Sequence, residues 1–117
     1  MRFVRTTLKA VVCIGVFAIL GARAEVQRIY IGTYTSGTSE GIYVADFDSS
    51  SGAIGNLRVA VKTENPSFLA KHPTLPVIYA VGEMVKEPDG DGGTVSAFRM
   101  EESGGLAPIN RASSVGA

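Results

Sequence analysis

The stretch that decides the fold runs from Ile29 to Asp48 and reads IYIGTYTSGTSEGIYVADFD. Its first six residues, Ile29 to Tyr34, are β-branched or aromatic apart from Gly32. Its last eight alternate, with Ile42, Val44 and Asp46 on one face and Tyr43, Ala45 and Phe47 on the other. A period of two with small polar residues between the runs predicts two strands joined by a loop. Moving outward, Ser49 to Gly52 has turn composition and Leu57 to Val61 alternates again. Ser67 to Ala70, Val77 to Val81, Thr94 to Met100 and Leu106 to Ser114 supply further short runs, punctuated by Gly, Pro, Ser and Asp. No stretch sustains the 3.6-residue period of a helix, so the chain reads as all-β.

The pattern repeats. Ile29-Tyr30 recurs as Ile78-Tyr79, while Gly41, Ala45, Ser51, Gly52 and Ile54 recur 52 residues on as Gly93, Ala97, Ser103, Gly104 and Leu106. The difference between the two spacings falls in Val85 to Gly92, read as a lengthened loop. A period near ~50 with four strands per unit is the mark of a β-propeller blade. A blade buries its faces only between neighbours, and propellers use roughly four to eight of them. Fewer than two units lie after residue 25, so the expectation is the N-terminal fragment of a larger propeller.

The start of the chain carries a different signal. Arg2, Arg5 and Lys9 precede the apolar run Ala10 to Leu20, and Gly21-Ala22-Arg23-Ala24 follows. A basic start, a short apolar core and an A-x-A exit predict a signal peptide over residues 1–24, cleaved before Glu25. The run is shorter than the roughly 20 residues that span a bilayer, so the membrane enters only during export. The product is expected in the periplasm or outside the cell. Cys13, the only cysteine, would leave with the signal. The domain at 25–117 keeps seven basic residues against eleven acidic ones, a net charge of −4 with no basic stripe. That balance argues against nucleic acid as a partner.

IYIGTYTSGTSEGIYVADFD, then NPSFLAKHPTLPVIYAVGE, then GTVSAFRM with GGLAPINRAS resembles the start of the 6-phosphogluconolactonase-type lactonase family. That family consists of seven-bladed propellers and includes carboxymuconate cyclases. Members often carry Asn-Glu where this chain has Gly82-Glu83. The resemblance implies two blades here, the first lacking its innermost strand, which comes from the distant C-terminus. It implies a third blade after Ala117, opening on a Gly-Pro-Cys-His-like segment whose His is a leading catalytic candidate. It further implies hydrolysis of a sugar or sugar-acid lactone without a cofactor, an unphosphorylated one if the protein is exported. The alternatives are a carboxymuconate-type cyclase and a propeller that binds without catalysing.

Within the chain, Glu83 is the carboxylate of most interest. It ends the Val77–Val81 run and should point to the loop end of the blade near the central channel, with Thr33 and Tyr34 in the matching place one blade earlier. A carboxylate there could act as a base or hold a sugar hydroxyl; the plainer alternative is a surface Glu fixing a loop. Thr33 and Tyr34 are the candidate substrate contacts. Gly37-Thr38-Ser39-Glu40-Gly41 matches G-x-S-x-G, but a strand rather than a helix follows, so Ser39 reads as a loop residue. His72, the sole histidine, reads as fixing the turn Lys71 to Pro76. Asp89-Gly90-Asp91-Gly92-Gly93 lacks the Gly and Glu spacing of a calcium loop and reads as a flexible acidic loop, with weak calcium binding as the alternative. No metal site is expected.

Overall fold

The computed structural model describes residues 2–7, 26–87 and 90–115. They form eight strands and no helix: β1 (Arg2–Thr7), β2 (Val26–Gly32), β3 (Gly41–Asp48), β4 (Ile54–Lys62), β5 (Phe68–Lys71), β6 (Val77–Glu87), β7 (Gly90–Met100) and β8 (Leu106–Ser113). Two four-stranded antiparallel sheets result, ordered β1-β2-β3-β4 and β5-β6-β7-β8. β1 lies beside β5, and β4 touches β8 at the opposite edges. Like edges therefore stack together, as successive propeller blades do.

The reason for stacking is written in the alternation. Tyr30, Ile42 and Val44 share one face of the first sheet and are fully buried. Leu69, Ile78, Ala80, Phe98 and Leu106 of the second sheet meet them in one apolar cluster. Each large side chain buried this way contributes about 1.5–3 kcal/mol. The opposite face of the second sheet stays open, with Phe68, Tyr79 and Val95 exposed.

Three features differ from the sequence reading. The inner edge of β2 is not bare: β1 pairs with it from Arg2 opposite Gly32 to Thr7 opposite Gln27. An unpaired edge is a template for any strand-forming segment, and Phe3, Val4, Thr6 and Thr7 supply that propensity. The segment 85–92 is not all loop. Val85, Lys86 and Glu87 pair with Gly92, Asp91 and Gly90, extending the β6–β7 hairpin as a ribbon. Asp89, the first residue of the expected acidic loop, lies outside the described residues, as do Ala10–Leu20 and the A-x-A exit. Finally, Ala45 faces Ile29 across the ladder, whereas Phe98 rather than Ala97 faces Ile78. β3 and β7 are thus related by 53 residues and the turns that follow them by 52. The turn after β7 is a residue tighter: Glu101 N–H bonds Gly105 C=O, where Asp48 N–H bonds Ala53 C=O.

That tight turn is gripped by the first sheet. Arg28, buried, donates to the Glu101 carbonyl at 2.9 Å and to the Glu102 carbonyl, and Arg58 donates to the Ser103 carbonyl at 2.9 Å. Gly104 sits at φ 97°, and a Cβ on it would fall 2.6 Å from the Arg58 guanidinium. Arg58 is in turn held by Asp46 at 3.6 Å. At the same end His72 does fix its turn, its Nδ1 accepting from Thr74 N–H at 3.2 Å and Leu75 N–H at 3.0 Å.

Hydrogen bonds from a charged group to carbonyls contribute about 1.5–3 kcal/mol. Arg28→Met should therefore lower unfolding free energy by about 1–3 kcal/mol. Chemical denaturation measures this, and Arg58→Met, at a more exposed position, should cost less.

Candidate functional site

The end of the sheets opposite that clamp carries the loop 33–40, the connection 63–67 and the base of the β6–β7 ribbon. There the two sheets approach too closely for any side chain at Gly32, whose Cβ would lie 2.2 Å from the Pro66 carbonyl oxygen. The approach brings loop 33–40 against the connection. Asn65, in the left-handed region at φ 44°, takes Thr35 N–H on its Oδ1 at 2.9 Å. Asn is among the few residues that adopt this backbone readily.

Glu83 is placed by a β-bulge. After Gly82 opposite Thr94 the ladder resumes with Val85 opposite Gly92, so two residues of β6 face one of β7. A bulge bends the strand and re-aims a side chain. Asn65 supports the displaced backbone on both sides, its carbonyl accepting from Glu83 N–H at 3.1 Å and its Nδ2 donating to Glu83 C=O at 3.0 Å.

The carboxylate so placed is held by two hydroxyls. Ser67 Oγ donates to Oε1 at 2.5 Å and Tyr34 Oη donates to Oε2 at 2.8 Å. One donor comes from the connection leading into Glu83's own sheet and the other from the loop that follows β2 of the preceding one. Both Tyr34 and Glu83 are solvent-accessible. Ser67, then Tyr34, holds the Glu83 carboxyl below its ordinary 4.5. The bond to Glu83 pushes the Tyr34 phenol above its ordinary 10.0. An ionised carboxylate with a depressed pKa is a poor proton acceptor but a good hydrogen-bond acceptor, and each oxygen retains lone-pair capacity. The arrangement suits holding a substrate hydroxyl better than abstracting a proton.

Of the sequence candidates, the structure brings Tyr34 and Glu83 together. Thr33 serves the loop, its Oγ1 donating to Gly41 C=O at 2.7 Å. Ser39 lies in the loop between two strands. Asn65 and Ser67 were not singled out as site residues: Asn65-Pro66-Ser67 shows only that Pro blocks a glycosylation acceptor. Among the described residues no group of three or more His, Cys, Asp or Glu could hold a metal ion. No helix among them is long and apolar enough to cross a membrane.

Comparison with known proteins gives this geometry a family. Residues 28–117 match the family described as Lactonase, 7-bladed beta-propeller. Over 76 residues, 65% of the chain, the sequence is 34% identical to 6-phosphogluconolactonase of Bacillus subtilis, of which it covers 20%. Among solved structures it resembles a protein of Bacteroides uniformis described as a candidate 6-phosphogluconolactonase, with a TM-score of 0.69 and 30% identity, over 81% of this chain and 26% of that one. It also resembles the periplasmic gluconolactonase of Pseudomonas aeruginosa, with a TM-score of 0.61 and 35% identity, over 72% of this chain and 24% of that one. The chain thus spans a fifth to about a quarter of the length of these relatives.

The depressed Glu83 value fixes the sign of a pH effect. Its contribution to folding is present above the ordinary glutamate value and is lost as pH falls through the lowered one. At the alkaline end, the Tyr34 contribution is present below 10.0 and is lost as pH rises through the raised value. Ser67→Ala should raise the Glu83 titration toward 4.5, and by more than Tyr34→Phe does. Carbon-13 NMR of the Glu83 carboxyl in the full-length protein measures both shifts.

Proposed function

The chain belongs to the lactonase family of seven-bladed β-propellers, and from that premise we propose that the full-length protein is an exported hydrolase of a sugar or sugar-acid lactone. The observation that carries this reading is the ionised Glu83 straddling the two blades between Tyr34 and Ser67. Lactones of this class carry several ring hydroxyls, and a fixed anionic acceptor orients one of them. Charge-assisted hydrogen bonds are roughly twice as strong as neutral ones, so such a contact also supplies binding energy.

The reaction adds water to the lactone carbonyl and breaks the ring carbon–oxygen bond. It leaves a carboxylate and a free hydroxyl, and it releases one proton. In the proposed division of labour, Glu83 and Tyr34 hold the substrate. The base that activates water and the donors that stabilise the developing oxyanion come from later blades, the His after Ala117 among them. The 6-phosphogluconolactonase name of the relatives and the gluconolactonase name of one neighbour support the reaction class.

Export is part of the proposal. It rests on the basic start, apolar run and A-x-A exit of residues 1–24, and the periplasmic location in one neighbour's name accords with it. Cleavage before Glu25 would remove β1 and free the inner edge of β2 for the strand that closes the ring.

Proton release on adding glucono-lactone to the full-length protein tests the activity. Glu83→Gln should lower kcat/KM by about 10- to 100-fold, chiefly through KM, because it replaces a charged acceptor by a neutral one. Hydrolysis absent across a panel of sugar lactones would sink the proposal, and turnover of a carboxymuconate substrate would favour the cyclase instead. N-terminal sequencing of the protein recovered from the cell envelope or medium should begin at Glu25; retention of Met1 would overturn the export claim.

A further inference from the structure

We propose that Asn65 is the positioning residue of the site, the single side chain and peptide that set Tyr34, Ser67 and Glu83 against one another. The inference rests on the reading of Glu83 as a substrate-holding group, yet its geometric core stands without it. Ser67 and Glu83 are bonded to Asn65 directly, and Tyr34 is tied to it through its neighbour Thr35. Ser67 N–H donates to the Asn65 carbonyl at 2.8 Å, which fixes the backbone that carries the Ser67 hydroxyl. The same carbonyl takes Glu83 N–H, and Asn65 Nδ2 donates to Glu83 C=O, so the bulged residue is clamped on both sides. On the Tyr34 side, Asn65 Oδ1 accepts from both Thr35 N–H and Thr35 Oγ1, at 2.9 and 3.1 Å, and Asn65 N–H donates to Thr35 Oγ1 at 3.1 Å.

These bonds divide by chemistry into two arms. The amide oxygen and main-chain N–H hold loop 33–40 and hence the phenol; the amide nitrogen and main-chain carbonyl hold the bulge and hence the carboxylate. Both arms are needed because Tyr34, in the loop of the first sheet, and Glu83, in the second sheet, are 49 positions apart. Their 2.8 Å contact survives only if the loop and the bulge share a reference point. The left-handed backbone at Asn65 is what turns both ends of one amide toward opposite sheets. Hydrogen-bonded support that locks a functional side chain is what separates a competent site from one that is about an ångström too loose.

The arms predict distinguishable failures in the full-length protein. Asn65→Gly keeps the backbone conformation and deletes both arms of the side chain. The Glu83 titration should then rise toward 4.5 and the Tyr34 titration fall toward 10.0, read by carbon-13 NMR with Tyr34→Phe as the assignment control. Asn65→Asp keeps the acceptor for Thr35 but loses the donor to Glu83 and adds a like charge. It should raise the Glu83 titration further while leaving Tyr34 closer to the native value. In turnover of the lactone, Asn65→Gly should cost about tenfold or more in kcat/KM, mainly in KM. Unmoved titrations in folded Asn65→Gly, or equal movement of both groups in Asn65→Asp, would overturn the proposal. Should Asn65→Gly fail to fold, the Asp variant decides alone. Because the titrations are read without substrate, a protein that opens no lactone refutes the function while the positioning role is still judged.

Discussion

A four-stranded sheet whose two faces are both apolar cannot stand in water, and the contact between the two sheets of this chain is the constraint from which its other features follow. Tyr30, Ile42 and Val44 are solvent-free only because Leu69, Ile78, Phe98 and Leu106 lie against them. The packing is non-directional and would tolerate some sliding. Directional bonds at the two ends remove that freedom. At one end Arg28 and Arg58 reach across to three carbonyls of a tight turn. At the other, Asn65 and Gly32 bring loop and connection into contact. The apolar middle supplies the free energy, and the polar ends set the register between blades.

The same division explains why the site sits where it does. Along the central strands β2, β3, β6 and β7 the backbone pairs on both sides, and the inward apolar side chains are committed to packing. At the bulge after Gly82 the ladder breaks, and a charged side chain is turned out of the sheet without burying its charge. Glu83 occupies that break, and hydroxyls from both sheets close on it. A carboxylate held this way depends on docking. If the first sheet moved away, Tyr34 would leave with it and the carboxylate would keep only Ser67.

How much of this was legible in the residues follows from the range of the interactions. Strand identity is local, and the alternation from Gly41 to Asp48 revealed β3 with its correct faces. The repeat of Ile29-Tyr30 at Ile78-Tyr79 revealed the blade period, and Tyr34 meets Glu83 because matching positions of adjacent blades lie at one end. The repeat misled at Ala45 and Ala97, since a turn one residue shorter turns a sequence match into opposite faces. The β6–β7 ribbon was hidden because Gly-rich, acidic sequence reads as loop whether or not its backbone pairs. Asn65 was invisible for a different reason. An Asn before Pro in a connection is ordinary, and its importance lies in partners 30 residues before and 18 after it.

The two polar ends differ in a way that bears on function. The clamp at Arg28 buries its charge and directs it to main-chain carbonyls. At the Glu83 end the charge remains in solvent, and its two hydroxyl partners satisfy each carboxylate oxygen once rather than fully. Evolution of a binding site on a repeated scaffold needs this asymmetry. One end of each blade boundary must be sealed so that register is kept, and the other left with unspent hydrogen-bonding capacity. By that criterion the boundary between these two blades has one structural end and one chemical end. The chemical end is organised by a residue, Asn65, that itself keeps almost none of its side-chain hydrogen-bonding capacity for a ligand.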